Sequence, residues 1–330
     1  MTKWKVYVTR PVPQPAIDML AEHCEVEVNP EDRVLSHEEL IEKVKGRDGI
    51  FCLLTDIIDA EVLDAAKGAK VFANMAVGFN NIDVQAATER GILITNTPGV
   101  LTEATADMAW ALLFAVARRI VEADKYMRAG KYKAWGPLLF LGQEITGKTL
   151  GVIGAGRIGT AFARKAKGFN MRVLYNDVEP NPQFEAETGG VFVDKDTLLR
   201  EADFVSLHVP LLPSTYHLIG ERELKLMKKT AILINTSRGP VVDEKALVQA
   251  LKEGEIWGAG LDVFENEPEM APGLAELDNV VVCPHIASAT WDTRIAMATM
   301  AARNLLAALR GELPPQCVNP EAYYKRQEAK

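Results

Sequence analysis

The stretch TLGVIGAGRIGTAFARKAKGF, residues 149–169, places an apolar run, a glycine-rich turn and an amphipathic run in succession. The apolar run LGVI is typical of a buried strand, and the last run has helical spacing. Gly154, Gly156 and Gly159 lie between them in a GxGxxG pattern. In a strand–turn–helix unit, the N–H groups of such a turn and the positive end of the helix bind a pyrophosphate. The stretch therefore predicts a doubly wound α/β domain that binds a dinucleotide.

An acidic residue follows the glycine-rich turn at the expected distance. The next apolar run ends in LYNDVEP and places Asp177 eighteen residues after Gly159. A carboxylate about 20 residues after the glycines accepts hydrogen bonds from the adenosine ribose. Because no Lys or Arg stands beside Asp177 to pair with a 2′-phosphate, the sequence predicts NAD rather than NADP.

Composition limits the classes of function. The 330 residues are 48% hydrophobic and 25% charged, which is typical of a packed protein with two domains. The net charge is −8 and no Lys- or Arg-rich stripe occurs, so a nucleic-acid partner is not expected. The longest apolar run, at 108–117, is too short to span a bilayer, and no secretory signal begins the chain. These features predict a cytoplasmic protein without a membrane partner.

The cysteines predict neither a metal site nor a disulfide framework. Cys24, Cys52, Cys283 and Cys317 are widely separated, without CxxC spacing.

Two alternating series of β-like and helical runs predict the fold. The first covers roughly residues 5–95, and the second begins at KTLGVIG and continues to VVVCPH. Between them, residues 98–132 read as a helical stretch of unusual length. A final amphipathic helix, from Thr290 to Gly311, is expected to return to the first unit. The predicted class is α/β, with two doubly wound parallel-sheet domains of Rossmann or flavodoxin type and the active site in the cleft between them.

Three segments downstream carry polar residues at predicted strand ends, where open α/β sheets bind ligands. They are LINTSRGPVVDE at 233–244, GAGLDVFENEP at 258–268 and PHIASAT at 284–290. Together with the glycine-rich turn and the segments AVGFNNID and NTPGVLTEATADMAWALLFAVARRIVEAD, the chain resembles the D-2-hydroxyacid dehydrogenase family, and within it the glyoxylate and hydroxypyruvate reductases. The resemblance covers nearly the whole chain.

The chemistry of reducing a 2-oxo acid agrees with this resemblance. Arg238 suits the substrate carboxylate and carbonyl, because a guanidinium is a planar, permanently charged fork. His285 suits the proton donor, since imidazole exchanges protons near neutral pH. Glu267 would orient this imidazole and favour its charged form. Each residue read alone could instead be structural, as a sheet-end ion pair, a solvated carboxylate or a buried histidine.

The resemblance implies a substrate domain formed by 1–99 with 288–330, and an inserted NAD-binding domain at 100–287 with a dimerisation arm around 120–145. The backbone of Val77 and Gly78 would receive the substrate carboxylate. Trp135 would reach the partner's site in a homodimer, although an ordinary buried tryptophan is an equal alternative. The cofactor contacts implied are Thr105, Gly154, Gly156, Arg157, Ile158, Gly159, Asp177, Val209, Pro210, Thr215, Thr236, Ser237, Asp262 and Ala287, with Asp262 on the nicotinamide carboxamide. Ala287 departs from the glycine that the family often has there.

The sequence predicts NADH-dependent reduction of a small 2-oxo acid to the D-2-hydroxy acid and leaves alternatives. Another 2-hydroxyacid dehydrogenase, of the D-lactate, 3-phosphoglycerate or phosphite type, is one. A binding module resembling the C-terminal binding proteins, which are NAD-sensing corepressors, is another. Formate dehydrogenase is disfavoured because it has Gln where Glu267 stands, and phosphite dehydrogenase has Lys where Val77 stands.

Overall fold

The computed structural model describes residues 3–328. The chain divides into two compact units. One is assembled from the residues up to Leu101 together with those from Ala289 onward, and the other is Thr102–Ser288. The glycine-rich turn therefore begins near residue 150 because its unit is inserted into another one.

Strands and helices alternate in both units. The strands are β1 (Trp4–Val8), β2 (Cys24–Val28), β3 (Gly49–Cys52), β4 (Val71–Asn74), β5 (Leu93–Thr95), β6 (Thr149–Ile153), β7 (Arg172–Asn176), β8 (Val191–Phe192), β9 (Phe204–Leu207), β10 (Ile232–Asn235), β11 (Gly258–Leu261) and β12 (Val280–Val282). The helices are α1 (Gln14–Ala21), α2 (His37–Val44), α3 (Ala60–Ala65), α4 (Val84–Glu89), α5 (Thr102–Ala117), α6 (Ile120–Arg128), α7 (Arg157–Lys165), α8 (Pro182–Thr188), α9 (Lys195–Glu201), α10 (Glu221–Leu226), α11 (Glu244–Glu253), α12 (Trp291–Leu309) and α13 (Pro320–Glu328). Short 3-10 helices lie at Ala166–Phe169 and Gly239–Val241.

The first unit contains a five-stranded parallel sheet in the order β2-β1-β3-β4-β5, which is the flavodoxin-like order. Helix α12 packs against α1, β3 and β4, so the end of the chain covers one face of this sheet. Helix α2 begins with a capping box, in which Ser36 and Glu39 each accept a hydrogen bond from the other's backbone N–H.

The second unit contains a seven-stranded parallel sheet in the order β12-β11-β10-β9-β6-β7-β8. From β8 to β11 this is the Rossmann order, with the switch point between β6 and β9. The two parallel sheets confirm the predicted fold class. Strands β10, β11 and β12 are neighbours at one side of the sheet, so the loops that follow them emerge side by side.

Alternate residues of the central strands enter two different cores. On β10, Ile232 and Ile234 pack with Trp110 and Phe162, on the side covered by α5 and α7. Leu233 faces the opposite side, where it joins the core under α9, α10 and α11. Both faces of the sheet are therefore buried, which explains why its strands read as continuous apolar runs.

The prediction of one long helix between the two series is wrong, because this stretch forms two helices. Arg119 adopts a left-handed conformation (φ 52°) between α5 and α6. The carbonyl oxygen of Ala117 accepts from the N–H of Gln143 at 2.8 Å. A Cβ on Gly142 would lie 2.1 Å from this oxygen, so the returning chain can approach closely only with glycine there. In the part of the chain described, none of the helices has the length and apolar character needed to span a bilayer.

Candidate active site

The glycine-rich turn lies at the switch point of the second sheet, between the end of β6 and the start of α7. Gly154 has a φ of +99°, and a Cβ there would lie 2.6 Å from the carbonyl oxygen of His208. A Cβ on Gly159 would lie 2.0 Å from the carbonyl oxygen of Gly154. A Cβ on Gly156, by contrast, would meet no atom within 4 Å among the described residues beyond its chain neighbours and its own helix. Two glycines thus let the chain pack on itself, and the third leaves the approach to the helix N-terminus open, as a pyrophosphate requires.

Asp177 follows β7 and contacts the glycine-rich turn directly. Its Oδ2 accepts from the N–H of Ala155 at 2.7 Å, and its Oδ1 accepts from the N–H of Val178 at 2.7 Å. A carboxylate offers about four acceptor positions, so Asp177 can still accept from ribose hydroxyls. The neighbouring Val178 is uncharged and 99% exposed, so this position supplies no cation beside the carboxylate.

The structure brings Glu267 and His285 together. The Oε2 of Glu267 lies 2.9 Å from His285 Nδ1, and its Oε1 accepts from the N–H of Phe264 at 3.1 Å. Burial acts to raise the pKa of Glu267, but the hydrogen bond and charge of His285, together with the N–H of Phe264 and the charge of Arg238, outweigh it and leave this pKa below its usual value. The carboxylate is therefore ionised at neutral pH and fixes Nδ1 of His285, and Nε2 is the ring nitrogen that it does not contact.

Arg238 follows β10, the strand beside β11. Its Nη1 donates to the carbonyl oxygen of Ser237 at 2.7 Å. Burial lowers the pKa of Arg238, and the nearby charge of Glu267 opposes this effect. A guanidinium remains charged even so, and a partly desolvated cation attracts an anion more strongly than a hydrated one does.

Asp262 fixes the backbone that carries His285. Its side chain, 0% exposed, accepts from the N–H groups of Ile286 at 2.8 Å and Ala287 at 2.7 Å. Its carbonyl oxygen accepts from the N–H of His285 at 2.9 Å. His285 itself has a φ of +54°, a left-handed conformation that is uncommon outside glycine. Burial raises the pKa of Asp262, and the two backbone hydrogen bonds oppose this rise. Its contact with a nicotinamide carboxamide stays a prediction.

The remaining cofactor candidates lie in the same unit. Thr236 Oγ1 is buried and has no hydrogen-bond partner among the described residues, so a bound ligand would satisfy it. In contrast, the hydroxyl of Ser237 donates to the side-chain oxygen of Asn235, and the hydroxyl of Thr215 donates to the carbonyl oxygen of Pro210. The side chain of Val209 lies 3.0 Å from the Cβ position of Gly154 and so borders the glycine-rich turn. The other candidates lie on α5 (Thr105) and on the first turn of α7 (Arg157, Ile158).

Val77 and Gly78 lie in the first unit, just after β4. Their carbonyl oxygens accept from the side-chain amides of Asn96 at 2.8 Å and Asn74 at 3.0 Å. These hydrogen bonds fix the orientation of the peptide groups. Within residues 3–328, the N–H groups of Val77 and Gly78 make no hydrogen bond, as backbone donors to an external carboxylate should.

Trp135 lies in a segment without helix or strand, residues 129–148, and its side chain is 79% exposed. It is therefore not an ordinary buried tryptophan within this chain.

Sequence reasoning missed Gly239, the residue after Arg238. A Cβ there would lie 1.8 Å from the carbonyl oxygen of Phe264 and 2.5 Å from the N–H nitrogen of Glu265. The backbone beside Arg238 is thus packed directly against the backbone that leads to Glu267. The only signal in the sequence is a glycine following Arg238.

Known proteins are similar to this chain over most of its length. Residues 110–287 match the model of the D-isomer specific 2-hydroxyacid dehydrogenase, NAD binding domain. The glyoxylate reductase of Thermococcus onnurineus is 55% identical over 323 residues, which are 97% of this chain and 97% of that protein.

Two solved structures are similar along nearly their whole length. The TT0316 protein from Thermus thermophilus is 49% identical, with a TM-score of 0.91 over 95% of this chain and 99% of that one. The NADPH-dependent glyoxylate/hydroxypyruvate reductase of Sinorhizobium meliloti, in complex with NADP and malonate, is 31% identical, with a TM-score of 0.85 over 97% of this chain and 98% of that one. The chain belongs to the D-isomer specific 2-hydroxyacid dehydrogenase family.

Proposed function

We propose that the protein reduces a small 2-oxo acid of the glyoxylate or hydroxypyruvate type to the D-2-hydroxy acid, with NADH as the cofactor. The observation that carries this proposal is the 2.9 Å contact of His285 with Glu267, in the unit that also holds the glycine-rich turn and Arg238. The names of the similar proteins support the substrate class.

The cofactor fits the residues present, because the open position at Gly156 and the unsatisfied hydroxyl of Thr236 both suit a bound dinucleotide. When bound, the reduced nicotinamide supplies the hydride. Gly154, Gly156 and Gly159 would hold the pyrophosphate, and Asp177 the ribose.

Arg238 would bind the substrate, and His285 would donate the proton. Arg238 pairs with the substrate carboxylate and polarises the carbonyl. His285 starts as the imidazolium, donates its Nε2 proton to the oxygen that becomes the hydroxyl, and is left neutral. Glu267 stabilises the imidazolium and holds the ring in place. The N–H groups of Val77 and Gly78 are proposed as further donors to the carboxylate.

Turnover by the purified protein tests the proposal. NADH oxidation should be fastest with glyoxylate or hydroxypyruvate among 2-oxo acids that include pyruvate and 3-phosphohydroxypyruvate. Fastest turnover of another acid would favour another dehydrogenase of the family. NADH binding without turnover of any acid would favour a cofactor-sensing binding module.

Replacing Arg238 with Lys should raise KM for glyoxylate and lower kcat together, with kcat/KM falling by about 10-fold or more. A lysine keeps the charge but cannot form two parallel hydrogen bonds to a carboxylate. Steady-state kinetics checks this result, with NADH affinity as the control, which should not change. An unchanged KM would contradict the role of Arg238 in substrate binding.

The second prediction concerns the choice of cofactor. Charge-assisted hydrogen bonds contribute about 1.5–3 kcal/mol, so Asp177 should favour NADH over NADPH by about 10-fold or more in kcat/KM. The double variant Asp177→Ser, Val178→Arg should move the preference toward NADPH, because it removes the repelling charge and adds a phosphate partner. Equal efficiency of the wild-type protein with both cofactors would contradict the assignment.

The third prediction concerns assembly. Large apolar side chains in the 120–145 arm are exposed, among them Trp135 (79%), Leu138 (79%) and Leu141 (57%). Because such a patch marks an interaction surface, we propose that a second copy of the chain covers it in a homodimer. Light scattering at micromolar concentration should report twice the mass of one chain.

Replacing Leu138 with Glu should shift this mass toward the monomer. Trp291 is 85% exposed and lies outside the arm, so Trp291→Ala is the matched control and should remain dimeric. A monomeric wild-type protein would contradict the dimer and would remove Trp135 from any partner's site. A cytoplasmic location stays a prediction.

A further inference from the structure

The segment that carries Glu267, residues 264–271, packs against the core at Phe264, Met270 and Ala271 but not at its centre. Its central residues, 266–269, are exposed. An exposed loop samples many conformations unless hydrogen bonds hold it. The Glu267 carboxylate nevertheless stands at hydrogen-bond distance from His285, so contacts near the ends of the segment must restrict it.

One buried carboxylate holds both ends of the segment. Glu244 is the first residue of α11 and is 4% exposed. Its Oε2 accepts from the N–H of Glu265 at 2.8 Å, and its Oε1 accepts from the N–H of Ala271 at 2.8 Å. The two donors lie two residues before and four residues after Glu267. A single side chain therefore joins the backbone on the two sides of Glu267.

A second set of contacts holds the first end from the other side. The Oε1 of Glu265 lies 2.7 Å from His217 Nε2, and its Oε2 accepts from the N–H of Glu244 at 3.2 Å. Glu244 and Glu265 therefore each accept from the other's backbone. His217 has a φ of +49° and donates its own N–H to the carbonyl oxygen of Pro240 at 2.8 Å. This hydrogen bond joins the backbone of His217 to the backbone that follows Arg238.

We infer that Glu244 is a positioning residue for the Glu267–His285 pair, acting with the His217–Glu265 contact. This inference rests on the proposed function only for what the pair does. The contacts of the Glu244 carboxylate with Glu265 and Ala271 are made to their N–H groups, so its effect on the pair passes through the backbone of the segment. A buried carboxylate suits this task because both its oxygens accept, whereas an amide has one acceptor and would place its NH2 group against a backbone N–H.

Glu244→Gln is the variant that tests the inference. We expect kcat/KM for glyoxylate to fall by about 10-fold or more, since small misplacements of a reacting group cost that much. The pH at which activity falls should also move down, because a displaced Glu267 stabilises the imidazolium less. Ring-labelled histidine gives a readout that needs no substrate: the titration midpoint of the His285 signal, assigned with a His285→Asn variant, should move the same way.

A double-mutant cycle separates positioning from general destabilisation. If Glu244 acts through Glu267, then Glu244→Gln should have little further effect in a Glu267→Gln background. There it should change kcat/KM by less than about 2-fold and leave the titration midpoint of His285 nearly where it is. Glu253→Gln, an exposed glutamate on the same helix, is the matched control and should match wild type. His217→Asn serves if Glu244→Gln fails to fold, because Asn tolerates the left-handed conformation but does not reach Glu265. It should move the midpoint in the same direction.

An unchanged His285 midpoint in Glu244→Gln, or in His217→Asn if the first does not fold, would overturn the inference. An equal effect of Glu244→Gln in wild type and in the Glu267→Gln background would also overturn it. A wild-type protein that does not turn over glyoxylate would contradict the proposed function alone, because the NMR midpoint would still report whether Glu244 positions the pair.

Discussion

Replacing His285 with Gln should lower kcat for glyoxylate reduction by about 100-fold or more, the usual scale for a positioned acid–base group. A glutamine side chain keeps a polar end but cannot transfer a proton near neutral pH. NADH binding should stay nearly unchanged, because the proposed cofactor contacts are made by the glycine-rich turn and Asp177. Steady-state kinetics together with NADH fluorescence titration measures both quantities.

The backbone at His285 calls for a second variant. Its φ of +54° lies in the left-handed region, which Asn tolerates better than Gln. His285→Asn should therefore lose as much activity as His285→Gln while keeping the thermal stability closer to wild type. A loss of less than about 10-fold in both variants would show that another group donates the proton.

Replacing Glu267 with Gln should lower kcat/KM at neutral pH by about 10- to 100-fold. The amide oxygen can still accept from His285 Nδ1 and hold the ring, although the NH2 group then faces the N–H of Phe264, where a carboxylate oxygen accepts in the wild type. The loss then comes from the charge, which no longer stabilises the imidazolium. Arg238 loses a neighbouring anion in the same variant, so KM for the oxo acid should not rise as it does in Arg238→Lys. A large rise in KM would place Glu267 in substrate binding instead.

The glycine-rich turn and the polar strand ends could be predicted from sequence because each is a contiguous pattern. Gly154, Asp177 and His285 sit where such patterns place them in a doubly wound sheet. The sheet then brings the loops after β10, β11 and β12 together, since parallel neighbours end at the same edge. A sequence pattern does not give the distance between two side chains, so the 2.9 Å contact of Glu267 with His285 is known only from the structure.

Features that depend on contacts between distant residues could not be predicted. The break between α5 and α6 depends on Gln143 donating to Ala117 and on the absence of a side chain at Gly142. Residues 98–132 alone read as one helical stretch. Strand β8, Val191–Phe192, was missed because two residues carry no periodicity.

The role inferred for Glu244 was hidden for a similar reason. A glutamate in the first turn of a helix is favourable through the helix dipole alone, so nothing in VVDE suggests a further task. Its partners Glu265 and Ala271 are more than twenty residues away in sequence. Only the fold shows that Glu244 contacts these two residues, which flank Glu267.

The pH profile of kcat/KM for glyoxylate reduction, in wild type and in Glu267→Gln, tests the central claim most directly. The pKa of Glu267 lies below its usual value, so its carboxylate is already ionised throughout the neutral range and its charge does not change there. Activity should be highest at low pH within that range and fall as pH rises. In Glu267→Gln the imidazolium is less stable, so the fall should occur at lower pH. If both proteins lose activity at the same pH, Glu267 is not the partner of the proton donor and the assignment of the pair is wrong.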